Sequence, residues 1–232
     1  MNYFVTGTDT GVGKTLISCA LLYAFAAQGK SVAGMKPVAA GCDVDDLNDD
    51  VKKLRAATNI FASLGQINPY SFIHPVAPHI ASHNAGVSIN FERILESYNE
   101  LAAQAEVVIV EGAGGFMVPL NETQDSADLA VALGIPVILV VGMRLGCLNH
   151  AQLTLRAIQA SRLKCAGWVA NIIDANMTAL QENIQALQQR IDAPLLGIIA
   201  HQAMPDARVA ATRLDISSLD SSTPTEQPSM QC

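Results

Sequence analysis

Nearly continuous runs of Val, Ile and Leu alternate along the chain with stretches whose apolar residues recur at helical spacing. The apolar runs are typical of strands that helices cover on both faces. They occupy residues 2–6, 31–36, 106–111, 136–141, 165–172 and 195–199. The helical stretches occupy residues 14–28, part of 47–58, 91–103, 126–133, 148–163 and 177–191. The alternation predicts an α/β fold, a single doubly wound, mostly parallel sheet of about six or seven strands flanked by helices, with ligands at the carboxyl ends of the strands.

Two segments interrupt this alternation. Residues 68–84 contain three prolines and form a long connection between predicted strands. Residues 216–232 are rich in Ser, Thr, Pro and Gln, a composition that buries too little apolar surface to fold. We therefore expect one domain over residues 1–215 and a polar, flexible C-terminal tail over residues 216–232.

Composition narrows the class of protein further. Half of the 232 residues are hydrophobic and 15% are charged, so the chain can bury a sizeable core. The net charge of −7 and the lack of a basic cluster argue against binding to nucleic acid. The five cysteines include no Cys-x-x-Cys pair, the N-terminus has no basic and apolar leader, and no apolar run is long enough to span a membrane. These features predict a cytoplasmic protein without a membrane partner.

A glycine-rich turn follows the first predicted strand. Its sequence, Gly-Thr-Asp-Thr-Gly-Val-Gly-Lys-Thr over residues 7–15, matches a phosphate-binding loop, although counted from Gly7 it is one residue longer than the general pattern. In such a loop, backbone N–H groups and the N-terminus of the next helix bind phosphate oxygens, the lysine reaches the outer phosphates, and the Thr hydroxyl suits Mg²⁺. The turn predicts a P-loop NTPase-like fold and a nucleoside triphosphate ligand. The residues expected to hold the nucleotide are Gly11, Val12, Gly13, Lys14, Thr15 and Leu16.

Charged residues stand at the ends of two more predicted strands. Lys36 ends the second strand, where it is either a solvated lysine or a second cation beside the phosphate loop. An acidic loop follows, whose members we expect to be solvated or to cap the next helix, with one a candidate metal ligand; they are Asp43, Asp45, Asp46, Asp49 and Asp50. Glu111 ends a buried strand and leads directly into Gly112-Ala113-Gly114-Gly115. Nucleotide-binding sheets hold Mg²⁺ at this position, so the pattern favours metal binding by Glu111 over simple turn chemistry.

Seven sequence blocks occur in the order known from one enzyme family. They are Gly-Thr-Asp-Thr-x-Val-Gly-Lys-Thr at 7–15, Lys-Pro-Val at 36–38, Asn-Pro-Tyr at 68–70, Pro-His-Ile-Ala at 78–81, Val-Glu-Gly-Ala-Gly-Gly at 110–115, Leu-Gly-Cys-Leu-Asn-His-Ala at 145–151 and Gly-Trp-Val-Ala-Asn at 167–171. Together they resemble the dethiobiotin synthetases. The resemblance implies a Mg-ATP-dependent carboxylation and ring closure of 7,8-diaminopelargonate with CO2. The implied products are dethiobiotin, ADP and phosphate, formed through a carbamate and a carbamic-phosphoric anhydride.

The resemblance also implies a role for individual residues. Lys14 and Lys36 would be catalytic, with Lys36 facing the carbamate and the transferring phosphoryl group. Mg²⁺ would be bound by Thr15, Asp50 and Glu111. ATP would contact the phosphate loop together with Gly112, Ala113, Gly114 and, at the adenine, Asn171.

The implied substrate site includes a second subunit. Within one chain, the substrate would contact Thr10, Lys36 and Ala40. A helix start built from Gly146, Cys147, Leu148 and Asn149 would reach the substrate carboxylate from the neighbouring subunit. The resemblance therefore implies a homodimer whose active sites are shared across the interface.

Three departures from the family pattern concern this site. Gly11 stands where well-known members have Glu, so any side-chain contact from that position is absent. Ala40 stands where a serine often touches the substrate, and a lost hydroxyl hydrogen bond typically costs about 1 kcal/mol. Residues 200–202, Ala-His-Gln, replace a block with proline that borders the adenine, which leaves the base contacts beyond Asn171 open.

Two other functions fit a phosphate loop. A related ATP-dependent amidating enzyme would share the loop, but the block at 145–151 argues against it. A ParA- or MinD-like ATPase switch would use the nucleotide to control dimerisation and partner binding. Those switches usually carry an additional lysine early in the loop, whereas this chain has Thr8, Asp9 and Thr10 there.

Overall fold

The computed structural model describes residues 1–42 and 47–219. Its strands are β1 (Asn2–Gly7), β2 (Val32–Met35), β3 (Val38–Ala40), β4 (Tyr70–Phe72), β5 (Val107–Glu111), β6 (Val137–Met143), β7 (Cys165–Ile172) and β8 (Leu195–Ile199). Its α-helices are α1 (Lys14–Ala27), α2 (Asp49–Ala57), α3 (Leu64–Ile67), α4 (Pro78–Ala85), α5 (Phe91–Ala102), α6 (Ser126–Leu133), α7 (Cys147–Ala160), α8 (Leu180–Gln188) and α9 (Ala207–Ala211). Asp43, Asp45 and Asp46 of the acidic loop lie outside the described residues.

Six strands form one parallel sheet in the order β2-β5-β1-β6-β7-β8. The central strand β1 lies between β5 and β6, so the chain order reverses beside it. In open α/β sheets the crevice at such a reversal, at the carboxyl ends of the strands, is where ligands bind. The predicted doubly wound, mostly parallel sheet is therefore confirmed, with six strands among the described residues.

Helices cover both faces of the sheet because alternate residues of each strand point to opposite faces. In β1, Phe4 packs with the residues of α5 and α6, while Val5 packs with those of α1, α2 and α9. Trp168 of β7 packs in a third cluster with α7 and α8. Burial on both faces explains why the strands read as nearly continuous apolar runs.

The long connection predicted over residues 68–84 contains regular structure that the pattern did not reveal. It carries β4 and most of α4, and β4 pairs in parallel with β3 as a separate two-stranded sheet. Both strands have three residues, which is too short for a period-two pattern to be recognised. Since β3 begins two residues after Lys36, the small sheet follows directly on the end of β2.

Residues 216–219, at the start of the expected tail, pack on the domain. Ile216 and Leu219 are buried against the face that carries α1, and a short 3-10 helix spans Ser217–Leu219. The Tyr3 hydroxyl donates a hydrogen bond to the carbonyl oxygen of Leu219 at 2.6 Å. Two apolar residues among polar ones are enough to anchor this segment, while residues 220–232 lie outside the described part of the chain.

No helix within residues 1–42 and 47–219 combines the length and the apolar character needed to cross a bilayer.

Candidate active site

The expected site residues converge at the carboxyl edge of the central strands. The phosphate loop leaves β1, Lys36 follows β2, and Glu111 is the last residue of β5. Since β2, β5 and β1 are neighbours in one parallel sheet, their carboxyl ends lie side by side. This topology brings residues that are up to 97 positions apart, Lys14 and Glu111, into one electrostatic cluster.

The phosphate loop depends on backbone that only glycine fits. Gly13 caps the start of α1 with a φ of 91°, in the left-handed region, and a side chain there would also collide with Asn171. Below the loop, Gly142 of β6 approaches so closely that a Cβ would lie 2.7 Å from Cγ1 of Val12. The loop is thus packed directly on the ends of β6 and β7.

Asn171, the expected adenine contact, supports this loop from the end of β7. It is buried, and its Nδ2 donates a hydrogen bond to the carbonyl oxygen of Val12 at 2.8 Å. One side-chain N–H is therefore committed to the loop. The second side-chain N–H and the Oδ1 acceptor are not used by this bond.

Lys14 is a buried cation whose ammonium group bonds to backbone. It is 6% exposed, and its Nζ donates to the carbonyl oxygen of Asp9 at 3.1 Å. Burial, reinforced by the nearby positive charge of Lys36, lowers the pKa of Lys14 to about 8. An anion that approached this ammonium would relieve part of the cost of burying it, as a phosphate group would.

Lys36 is the centre of a charged cluster. Its Nζ lies 2.6 Å from Oε1 of Glu111, 3.1 Å from Oδ2 of Asp50 and 3.4 Å from the carbonyl oxygen of Gly112. The Thr15 hydroxyl donates to the same Glu111 oxygen at 2.8 Å. Lys36 is 5% exposed and Glu111 is 1% exposed, so the pair is withdrawn from water. The alternative of a solvated lysine at this strand end is therefore wrong.

The charges in this cluster stabilise one another. Burial alone would lower the pKa of Lys36, but the Glu111 and Asp50 carboxylates outweigh it and raise that pKa above its usual value. Burial alone would raise the pKa of Asp50, but the Lys36 ammonium and a hydrogen bond from Thr15 lower it below the usual value. The cluster thus favours the charged forms of the Lys36 ammonium and the Asp50 carboxylate.

The oxygen atoms of this cluster have the chemistry that Mg²⁺ prefers. Thr15 supplies a hydroxyl, and Asp50 and Glu111 supply carboxylates. Within the described residues, Oε2 of Glu111 is buried and has no hydrogen-bond partner. A buried carboxylate oxygen without a partner is costly unless a ligand satisfies it, so the residues fit a divalent cation.

Asn48 also supports this cluster, although no sequence motif includes it. Its Oδ1 accepts the N–H of Asp50 at 2.9 Å and caps α2, while its Nδ2 donates to the carbonyl oxygen of Ala40 at 3.1 Å. It therefore links the start of α2 to β3. An asparagine directly before two aspartates and a helical stretch was the available sequence signal.

The expected substrate residues lie around the same edge. Thr10 and Gly11 are exposed on the phosphate loop, and a Cβ at Gly11 would meet no atom within 4 Å. Ala40 is half-buried at the end of β3. The helix α7 starts after Gly146, which has a φ of 94°, so the predicted turn does lead into a helix.

The four residues of that turn differ in accessibility. Cys147 is buried in the core, and its N–H already donates to the carbonyl oxygen of Arg144 at 3.0 Å. Asn149 is exposed, and Leu148 is half-buried. Two apolar residues that flank the turn, Leu145 and Leu153, are 93% and 57% exposed. The Cys147 side chain is thus shielded from solvent, unlike that of Asn149.

Comparison with known proteins identifies the fold and the family. A family model described as an AAA domain matches residues 1–206. Among solved structures, the MinC:MinD cell division protein complex of Aquifex aeolicus aligns with a TM-score of 0.53 at 17% identity, over 87% of this chain and 82% of that chain. The septum site-determining protein MinD of Pyrococcus horikoshii, complexed with Mg-ADP, aligns with a TM-score of 0.53 at 16% identity, over 91% and 86%. At such low identity these likenesses show the P-loop NTPase-like fold alone.

Curated relatives are far more similar in sequence. The ATP-dependent dethiobiotin synthetase BioD of Nitrosospira multiformis is 56% identical over 214 residues, which are 92% of this chain and 94% of the relative. Proteins of the same name from Aromatoleum aromaticum and Ralstonia nicotianae are 54% and 50% identical, over 90% and 93% of this chain and 95% and 96% of the relatives. The sequence blocks, the charged cluster at the phosphate loop and this identity over almost the whole length agree, and the chain belongs to the ATP-dependent dethiobiotin synthetase family.

Proposed function

We propose that this chain is a dethiobiotin synthetase that carboxylates and cyclises 7,8-diaminopelargonate with CO2 at the expense of ATP. The observation that carries the proposal is the second buried cation, Lys36, held beside the phosphate loop by Glu111 and Asp50. A simple nucleotide switch needs the loop lysine, whereas transfer of a phosphoryl group to a carbamate also needs a cation on the acceptor side. The sequence identity to enzymes of that name supports the same function.

The reaction requires charge neutralisation and alignment more than a strong base. One amine of the substrate adds to CO2 and loses a proton to give a carbamate. A carbamate oxygen then attacks the γ-phosphorus of ATP, and ADP leaves. The second amine attacks the carbonyl carbon of the carbamic-phosphoric anhydride and loses a proton, a C–N bond forms, and the C–O bond to phosphate breaks as the five-membered urea closes. Because this amine is tethered a few bonds away, effective molarities on the order of 10⁵ M favour closure once the atoms are aligned.

The proposed roles follow from position and charge. Lys14 stabilises the outer phosphates of ATP, and Lys36 stabilises the carbamate and the transferring phosphoryl group. The loop residues Gly11, Val12, Gly13 and Leu16 line the nucleotide, along with Gly112, Ala113, Gly114 and, at the base, Asn171. Thr10 and Ala40 border the substrate. The open space at Gly11, where well-known members have a charged Glu, and the absent hydroxyl at Ala40 reduce the number of substrate contacts.

Mg²⁺ is the proposed metal, with Thr15, Asp50 and Glu111 as its protein ligands. When bound, it would supply positive charge to the ATP phosphates. The Lys36 ammonium already contacts the Asp50 and Glu111 carboxylates, so these contacts hold the two proposed metal ligands close together. We also propose a cytoplasmic location, where ATP is available and the cysteines Cys19, Cys42, Cys147 and Cys165 remain as free thiols.

The function is tested by phosphate release from ATP. Release should depend on both diaminopelargonate and bicarbonate, and dethiobiotin should be detected by mass in equal amount to phosphate. A MinD-like switch would hydrolyse ATP at a rate that the diamine does not change. Stoichiometric phosphate without dethiobiotin would overturn the proposal.

Removing either proposed metal carboxylate should change the Mg²⁺ dependence. Asp50→Asn and Glu111→Gln are expected to raise the Mg²⁺ concentration for half-maximal turnover or to remove activity, because each deletes one charged ligand. Asp49→Asn is the matched control, since the Asp49 side chain is 78% exposed and pairs with Lys52 one turn along α2. Titration of Mg²⁺ at fixed ATP measures the effect. Equal shifts in all three variants would mean that the carboxylates are wrongly chosen.

We propose that two chains share their active sites in a homodimer, with Gly146, Leu148 and Asn149 of one chain binding the substrate carboxylate of the other. Exposed Leu145 and Leu153 beside this turn support an interface there. Asn149→Ala and Lys14→Ala should each be nearly inactive alone. Co-refolded at equal amounts, about half of the dimers are mixed and each has one intact site, so about a quarter of wild-type activity should return. Confirmed heterodimers without recovery would contradict the shared site.

A further inference from the structure

The phosphate loop contains an acidic residue, Asp9, which holds two parts of the loop in place. Its carbonyl oxygen accepts the Lys14 ammonium at 3.1 Å, and its Oδ1 accepts the Thr10 N–H at 2.7 Å. The carboxylate is nevertheless a negative charge inside a loop proposed to bind the phosphates of ATP. Without compensation, it would repel them.

Arg144 supplies the compensation from the loop after β6. Its guanidinium lies 2.5 Å from Oδ2 of Asp9, the carboxylate oxygen opposite the one that Thr10 uses. The Thr10 N–H and the Arg144 charge together keep the pKa of Asp9 below its usual value, against the opposing effect of burial.

The main chain around Arg144 is fixed to the same loop. The Thr8 N–H donates to the carbonyl oxygen of Val140 at 3.0 Å, and the Gly142 N–H donates to the Thr8 hydroxyl at 3.4 Å. The carbonyl oxygen of Arg144 accepts the Cys147 N–H at the start of α7. These hydrogen bonds fix the backbone on both sides of Arg144. The Arg144 and Asp9 side chains themselves are 41% and 46% exposed.

We propose that Arg144 is a positioning residue for ATP, which acts by neutralising Asp9 and by fixing the loop that carries Thr10 and Lys14. The inference rests on the proposed binding of ATP at this loop. An ion pair this exposed contributes little to folding stability. Its effect should instead appear in nucleotide affinity, where an unpaired Asp9 charge faces the phosphates.

The test measures binding of a non-hydrolysable ATP analogue with Mg²⁺ to the full chain by calorimetry. In Arg144→Met the Kd should rise about tenfold, the effect expected for one charge-assisted hydrogen bond, with an unchanged melting temperature. The KM for ATP should rise while kcat changes little. Arg144→Lys should recover most of the affinity, and Arg190→Met is the control for loss of an exposed arginine elsewhere.

The double variant Asp9→Asn/Arg144→Met separates action through Asp9 from a general loss of positive charge. It should bind the analogue more tightly than Arg144→Met, because no uncompensated carboxylate remains. A wild-type Kd in Arg144→Met, or a double variant as weak as Arg144→Met, would overturn the inference. If the wild-type chain itself failed to bind the analogue, the proposed function would fall together with it.

Discussion

Lys14→Ala should nearly abolish turnover, with a loss of roughly 10²-fold or more, and strongly weaken ATP binding. The loop over residues 7–15 has one lysine and no arginine, so no neighbour in the loop can take over its charge. The ammonium is buried against the carbonyl oxygen of Asp9, with a pKa lowered to about 8, and in the proposed role a bound phosphate would offset the cost of burying that charge. Loss of one such preorganised donor costs roughly 10²- to 10³-fold in turnover. Calorimetry with an ATP analogue and a phosphate-release assay measure the two effects.

The matched control for this variant is Lys30→Ala. Lys30 is a surface lysine whose ammonium lies 3.3 Å from Glu106, and both side chains are partly exposed. Its removal should leave binding and turnover close to wild type. Substantial activity of Lys14→Ala at saturating ATP would contradict the assignment of Lys14 to the phosphates.

Lys36→Ala should leave nucleotide binding largely intact and lower turnover by roughly 10²-fold or more, the size of effect seen when one charge-stabilising donor is removed. The structure adds a second expected result. With Lys36 absent, the Glu111 carboxylate is buried without its cation, which destabilises a fold by about 3 kcal/mol or more. The variant should therefore melt at a lower temperature, and Mg²⁺ should raise its melting temperature more than that of the wild type.

The double variant Lys36→Ala/Glu111→Gln separates folding from catalysis. Removing both charges should recover much of the lost stability but none of the lost turnover. Thermal unfolding and phosphate release measured on the same preparations distinguish the two losses. If ATP binding disappears in Lys36→Ala while turnover is normal at high ATP, Lys36 is a nucleotide contact and the proposed mechanism is wrong.

Sequence patterns predicted the parts of this site that are built from contiguous residues. The apolar run of β5 ends at Glu111, and the glycine-rich turn directly follows β1. In both places one continuous stretch of sequence contains the strand, the turn after it and the candidate ligand-binding residues. The parallel sheet then brought the two strand ends side by side, as its topology requires. These are local signals combined with one general rule of α/β folds.

The contacts that the sequence did not reveal depend on packing between distant segments. Lys36 pairs with Asp50 only because α2 packs beside β2. Because the Lys36 side chain is buried, its ammonium binds the Asp50 and Glu111 carboxylates and not water. Arg144 and Asp9 are 135 positions apart, and neither residue type indicates a partner by itself. Ile216 and Leu219 gave no periodic pattern, because the segment that they anchor is only one short turn.

The close fit of glycines around the phosphate loop limits what an alanine scan of this protein can reveal. Gly142 lies on a strand and has no functional group, yet a methyl group there would push against Val12 and displace the loop. Gly13 would combine such a collision with an unfavourable backbone angle. An inactive alanine variant at either position would therefore show that the added methyl group does not fit, and it would not show that the glycine has a catalytic role. Catalytic roles are tested by substitutions that shorten a side chain.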